Sequence, residues 1–294
     1  MLVDLVRVTT KDGLRLDGAL RLPPEGVFCQ TSLDAVLFLH GVGSNFYTSG
    51  TLDGIAARLH KLGLALLPVN TRGHDNIYAA SANFGRRLQG AAYEVVDECR
   101  HDVRAWVEFL TARGYQSILL MGHSLGAIKA IYSQVHEPLP EIAGVVAMSP
   151  PRLSHRAFLQ SRESSIYFAS LATAEQMVAE GRGDDLFLAK FPFPLMITAS
   201  GYIDKYGPGE RYNITRFGNQ VPVPILYTYG SKEVAEGGGP FAGVPEVLAN
   251  LPREQGALDV AVVAGGDHFY TGVYDGLAEE VEEWLLEKWG EGRG

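Results

Sequence analysis

Apolar and polar residues alternate along residues 3–8 and again along 14–22, on either side of Lys11-Asp12-Gly13. Two alternating runs joined by an Asp-Gly turn predict a β-hairpin. Pro23, Pro24 and Gly26 end its second strand. The pattern then changes. Residues 35–39 and 64–69 are almost continuously apolar, as expected for strands covered on both faces. Between them, 52–62 has helical spacing and stops at Gly63. Residues 92–113 predict a long helix, because Val95, Val96, Cys99, Val103, Trp106, Val107 and Leu110 recur at three- and four-residue steps before Gly114. A strand at 118–121, a helix at 125–135 and a strand at 144–148 follow, closed by Ser149-Pro150-Pro151. Strands at 225–229 and 260–263 come next. A last amphipathic helix is built on Leu277, Val281, Trp284 and Leu285, with Glu279, Glu280, Glu282 and Glu283 as its solvated face.

Strands alternating with helices predict an α/β fold, a mostly parallel eight-stranded sheet with helices on both faces and an antiparallel edge from the leading hairpin. The alternation fails over 151–220. That stretch is helix-like at 173–180, passes through Phe191-Pro192-Phe193-Pro194, and then turns rich in Tyr, Gly and Pro. It predicts a cap inserted over the carboxyl edge of the sheet, where α/β proteins bind ligands. The two parts of the core are then 1–150 and 221–294.

Composition narrows the function. With 294 residues, 46% of them hydrophobic, the chain has material for a packed core and is not a disordered one. Its net charge of -9 and the lack of any run of basic residues argue against a nucleic-acid partner. No apolar run reaches the length of a membrane span, and residues 1–13 carry no secretory pattern. A cytoplasmic protein without a membrane partner is expected, with the sequon Asn213-Ile214-Thr215 idle. Cys29 and Cys99 are too far apart in sequence for a metal motif and are expected as two buried thiols.

The chemistry centres on Gly122-His123-Ser124-Leu125-Gly126. This string follows a predicted strand and opens a predicted helix, the setting in which a strained turn lifts a serine oxygen clear of a sheet. Gly122 and Gly126 are expected where strand and helix leave no room for side chains. A serine needs a base, and His268, just after the last strand, is placed to supply it. The imidazole needs a carboxylate. Glu233 closely follows the strand at 225–229, with Glu236 on the same loop as its rival, while Asp267 adjoins the histidine too closely to sit behind its ring. Oxyanion donors are expected from the N–H of Leu125 and from the loop His40-Gly41-Val42-Gly43-Ser44, with Val42 first and Gly43 second. A dinucleotide loop is excluded there because position 46 is Phe46, not a third glycine. His40 is expected to pin that loop. His40, Gly41, Gly43, His123, Phe193 and Tyr202 are the expected substrate contacts. Phe168, Phe191, Tyr206 and Tyr212 either join them or fill the cap's own interior. No metal motif is present, and no cofactor is expected.

These features together resemble the α/β-hydrolase superfamily. The resemblance rests on the Asp12-Gly13 hairpin, His40-Gly41-Val42-Gly43, Asn70-Thr71-Arg72-Gly73-His74-Asp75, Gly122-His123-Ser124-Leu125-Gly126, Glu233 and Asp267-His268. It implies an acyl-transfer enzyme with Ser124, His268 and Glu233 as its triad, Glu233 standing where the family more often has Asp. It also implies that the turn at Arg72 is structural. The run 70–75 and the long middle segment are similar to a group that includes siderophore-ester hydrolases. Serine at the elbow implies acyl transfer, on esters, thioesters, amides or certain carbon–carbon bonds of vinylogous diketones, and the expected substrate is a carboxylic ester of a small apolar or aromatic molecule. A thioesterase, amidase or acyltransferase on the same triad, or a non-catalytic ligand-binding module, are the alternatives.

Overall fold

The computed structural model describes residues 3–82, 85–252 and 256–290; the outermost residues of the two expected core segments, 1–2 and 291–294, lie outside these ranges. The alternating runs form β1 (Asp4–Thr9) and β2 (Arg15–Leu20), paired antiparallel. Then come β3 (Ala35–Leu39), α1 (Gly50–Lys61), β4 (Ala65–Val69), and the small hairpin β5 (Tyr78–Ala82) and β6 (Gly85–Gln89). The core continues with α2 (Cys99–Thr111), β7 (Ile118–His123), α3 (Leu125–His136) and β8 (Ile142–Met148). The middle segment holds α4 (His155–Gln160), α5 (Ser164–Ala179), the hairpin β9 (Leu186–Ala189) and β10 (Leu195–Thr198), and α6 (Ala199–Tyr206). The chain ends through β11 (Ile225–Gly230), α7 (Ser231–Glu236), α8 (Val244–Ala249), β12 (Leu258–Val263) and α9 (Tyr274–Trp289).

Eight strands form one sheet in the order β1-β2-β4-β3-β7-β8-β11-β12. From β4 to β12 every pairing is parallel, and β1 and β2 form the antiparallel edge. The register explains the continuous apolar runs. Ala35, Leu37 and Leu39 face one core with residues of α2 and α3, while Val36 and Phe38 face the other with α1 and α9. With a helix layer on each side, no strand position in β3 meets water.

Two expectations are corrected. The helix expected at 92–113 begins only at Cys99, after a short 3-10 turn at Val96–Glu98. Its apolar stripe is buried as expected from Val96 to Leu110, whereas before it the Ala91 and Ala92 N–H groups donate to the Asp75 and Asn76 carbonyls and the Ala92 carbonyl accepts from the Thr198 N–H, none of them helical bonds. The Glu94 carboxylate is buried between Lys129 of α3 at 2.5 Å and Lys205 of α6 at 3.4 Å. Cys99 is buried, but Cys29 is exposed. Cys29 lies on the loop between β2 and β3, outside both helix layers, where its thiol reaches the Gly63 carbonyl at 3.8 Å.

Arg72 follows β4 and is fully buried. Its guanidinium meets Asp102 at 2.8 Å, Glu98 at 2.6 Å and Asp12 at 3.1 Å. Burial disfavours the Asp12 carboxylate, but hydrogen bonds from Thr10 and Arg72 outweigh it and hold its pKa at about 2. One side chain thereby joins the leading hairpin, the loop after β4 and helix α2.

The crossing of β3, β7 and α3 is tighter still. A Cβ on Gly126 would lie 2.2 Å from the Leu39 carbonyl oxygen and 2.5 Å from that of His40. A Cβ on Gly122 would lie 2.3 Å from the Gly126 carbonyl oxygen. These obstacles are backbone and cannot rotate away. Gly126→Ala is therefore expected to push α3 off the sheet and cost about 1–3 kcal/mol, read as a lower urea midpoint.

Candidate active site

Ser124 sits between β7 and α3 with φ 57° and ψ -123°. A non-glycine residue in this region is strained by about 1–3 kcal/mol. The turn is held by the Ser124 N–H donating to the Met148 carbonyl at 2.8 Å. Its effect is to raise Oγ above the carboxyl ends of the parallel strands. There Oγ lies 3.0 Å from Nε2 of His268, which the loop after β12 carries back over the sheet.

On its far side His268 donates from Nδ1 to Glu233 Oε1. Glu233 stands in the first turn of α7 and is buried. Its other oxygen accepts from Ser149 Oγ at 2.7 Å and from the Gly230 N–H at 3.2 Å. The carboxylate is thus solvated by the protein and aimed at the imidazole. Glu236, the rival position, is exposed and carries no bond to His268. Asp267 accepts from the N–H groups of Phe269 and Thr271, both at 2.9 Å. It shapes the loop rather than backing the ring.

Two further histidines hold this arrangement. His123 donates from Nε2 to the His268 carbonyl at 2.7 Å, tying the base's loop to the elbow. His40 contacts the Gly41 carbonyl through Nδ1 at 2.7 Å and accepts the Thr71 N–H on Nε2 at 3.1 Å. Thr71 Oγ1 in turn accepts from Lys129 Nζ at 2.8 Å. Burial drives both histidines down to about 3, and Lys129 adds to the effect on His40. Both are therefore neutral when folded. In the unfolded chain each takes a proton near pH 6.5. The unfolded state binds more protons between pH 6.5 and about 3, so stability falls as pH falls across that window. The loss is at most about 1.4 kcal/mol per pH unit for each histidine. Urea midpoints from pH 7 to pH 4.5 should show this slope, and His123→Gln should reduce it by one proton.

Gly41 brings the loop after β3 against the nucleophile: a Cβ there would lie 3.3 Å from Ser124 Cβ. Leu125 is the first residue of α3, so its N–H has no acceptor within the helix. Among the described residues, neither that N–H nor the N–H of Val42 has a protein acceptor. Gly43 has φ +62°, and a Cβ there would lie 2.9 Å from Asn76 Oδ1.

A cavity of about 640 Å³ opens over Ser124. His40, Gly41, Val42, His123, Leu125 and His268 form its floor. Phe193 and Tyr206, both named from the sequence, form part of its wall. Tyr202 does not. It is buried within the middle segment between Phe187 and Tyr206, with ring centroids 5.6 Å and 5.1 Å away. Phe191 packs on Phe158 and Tyr167, Tyr212 on Tyr132, and Phe168 faces solvent. Sequence reasoning missed Leu153, Phe158, Phe241 and Phe269, which complete the apolar wall. Phe241 and Phe269 stand 5.1 Å and 5.0 Å from the His268 ring. Phe269 adjoins His268 and could have been found from that alone; Phe241 lies in a glycine-rich loop with no periodicity to mark it. Among the described residues no group of His, Cys, Asp and Glu is placed to hold a metal ion. No helix among them is long and apolar enough to cross a membrane.

An elbow serine over a doubly covered parallel sheet, backed in chain order by a carboxylate and a histidine, defines a class of hydrolase folds. The chain belongs to the alpha/beta hydrolase family, whose sequence profile matches residues 36–289. Solved structures agree on the fold. The chain is similar to Est1E from Butyrivibrio proteoclasticus with bound ferulic acid, at 15% identity, TM-score 0.65, and coverage of 96% of this chain and 98% of that one. It is similar to a soluble variant of monoglyceride lipase from Saccharomyces cerevisiae in complex with a substrate analog, at 16% identity, TM-score 0.66, and coverage of 99% and 97%. It is also similar to the Pyrococcus furiosus esterase Pf2001, at 19% identity, TM-score 0.60, and coverage of 98% and 92%. No curated protein sequence matches.

Proposed function

We propose that the protein is a serine hydrolase that cleaves a carboxylic ester of a small molecule with an apolar or aromatic body. The observation that carries this reading is the unbroken hydrogen-bonded line from Ser124 Oγ through His268 to Glu233, set in the floor of an apolar cavity. In the first half-reaction Ser124 Oγ attacks the ester carbonyl carbon while His268 Nε2 takes its proton. Glu233 stabilises the imidazolium. The N–H groups of Val42 and Leu125 receive the oxyanion. The carbon–oxygen bond to the leaving alcohol breaks as His268 returns the proton to it. Water then attacks the acyl-enzyme by the same steps and frees the acid and Ser124.

In this reading the segment 151–220 is a cap, since it supplies Leu153, Phe158, Phe193 and Tyr206 to the cavity wall. The proposed compartment is a reducing one, because Cys29 and Cys99 are both unpaired. The reading is tested by intact-mass analysis after treatment with a fluorophosphonate. One adduct is expected on the wild type and none on Ser124→Ala. A folded wild type that takes no adduct overturns it.

A further inference from the structure

Beside the active-site cavity lies a second cleft of about 970 Å³, on the other side of a wall formed by α4 and the loop after α7. Its lining gathers four arginines, Arg152, Arg156, Arg162 and Arg216. Three of them lie within residues 152–162 and the fourth, Arg216, comes from a later loop, in a protein with a net charge of -9. Among the described residues none of the four lies in an ion pair with a carboxylate, although most arginines elsewhere in the fold do. The two carboxylates in the lining leave the cleft net positive. Glu210 is occupied by Ser154, Asn213 and the Arg156 N–H, and Glu236 faces solvent. Arg152 is the least accessible of the four. Its Nη2 reaches the Gly239 and Ala242 carbonyls, but its buried Nε has no partner. Glu210 attracts Arg152 only at a distance, without an ion pair, so burial still lowers the guanidinium's pKa and an anion at close range would offset that desolvation.

Arginine forks match carboxylate and phosphate oxygens in pairs. Arg162 and Glu236 line both the cleft and the cavity over Ser124. We infer that this cleft is an anion subsite of the same active site, and that the substrate is an ester whose apolar body carries a carboxylate or phosphate at its far end. This rests on the hydrolase reading above and deepens it. The ester carbonyl lies at Ser124, the apolar body against the phenylalanines, and the anionic end passes Arg162 into the arginine cleft.

The test compares 4-nitrophenyl monoesters of linear dicarboxylic acids, over a series of chain lengths, with the same compounds capped as primary amides. At one or more lengths kcat/KM for the acid should exceed that for the amide by tenfold or more at low salt. The double variant Arg156→Gln/Arg216→Gln, which touches neither Ser124 nor its cavity, should erase the difference while the amide forms keep their rate within twofold. Inorganic phosphate should compete with the acid forms alone. Amide forms hydrolysed as well as the acids at every length would overturn the subsite and leave the hydrolase reading standing. Phosphate that changes kcat on an amide form, and loses that effect in the double variant, would assign the anion to a separate ligand and overturn its placement on the substrate. Failure of both series together with no fluorophosphonate adduct at Ser124 would instead bring down the hydrolase reading.

Discussion

Ser124→Ala is expected to lower kcat on an activated ester by roughly six orders of magnitude. The variant loses the atom that would form the acyl-enzyme, while its cavity, His268 and the free N–H groups of Val42 and Leu125 remain. A residual rate of about 10³–10⁴ over water is therefore expected from oxyanion binding and positioning alone. The fold should not suffer, since alanine takes the same strained φ and no packing is lost. Glu233→Gln should cost less, about 10⁴ in kcat. Its amide would keep the shape of the carboxylate but could not stabilise an imidazolium. Ser149 Oγ and the Gly230 N–H, both aimed at Oε2, would also meet an amide in place of an oxygen anion. Single-turnover kinetics on both variants, beside unchanged urea midpoints, check the pair. An Ser124→Ala enzyme that retains more than a hundredth of the wild-type rate would refute the nucleophile.

The largest effect on stability is expected from Arg72→Met. Removing one partner of a buried ion pair leaves the other charged in a dry interior and costs about 3–5 kcal/mol. Asp102 would be that residue, fully buried and bonded to both the side chain and the N–H of Arg72. Against a total stability of about 5–15 kcal/mol, this loss empties much of the folded population. Asp12 and Glu98 are better placed to turn to water, so most of the damage falls on Asp102. A double variant, Arg72→Met/Asp102→Leu, should recover a large part of the loss because it removes the fully buried charge as well. Urea midpoints of the two singles and the double form the cycle that measures it.

The sheet was readable because its strands are buried on both faces. Residues 35–39 and 118–121 announce themselves by a lack of polar positions, and the register puts their alternate side chains into two cores. The elbow was readable because Gly122 and Gly126 meet backbone where any Cβ would collide. Other features depend on distant partners and leave no local trace. Lys129, in the apolar first half of α3, looks like a surface residue until Glu94 arrives from elsewhere in the chain. The helix expected at 92–113 is shorter because Ala91 and Ala92 bond to Asp75, Asn76 and Thr198, partners far off in sequence. The hairpins of β5 with β6 and β9 with β10 are short and carry no clear alternation. Tyr202 and Phe168 differ in exposure only because α6 is covered by α5 while the outer side of α5 faces water. The four arginines of the second cleft form no run in sequence, so the absence of a basic stretch did not reveal the basic surface that folding assembles.

Lys205 carries a consequence for how molecules reach Ser124. It belongs to α6, and its ammonium is buried against Glu94 beside Lys129. The Thr198 N–H donates to the Ala92 carbonyl, and Tyr212 accepts the Asp97 N–H, so the same segment is fastened to the core at further points. To swing outward, α6 would strip a buried carboxylate of one of its two cations and rehydrate three charges in a single motion. If this segment roofs the site as proposed, these ties predict a fixed roof, with traffic through an opening already present. Capture of a fluorescent ester analogue by stopped flow should then be one exponential, with a rate that rises linearly with concentration and shows no plateau from a gating step.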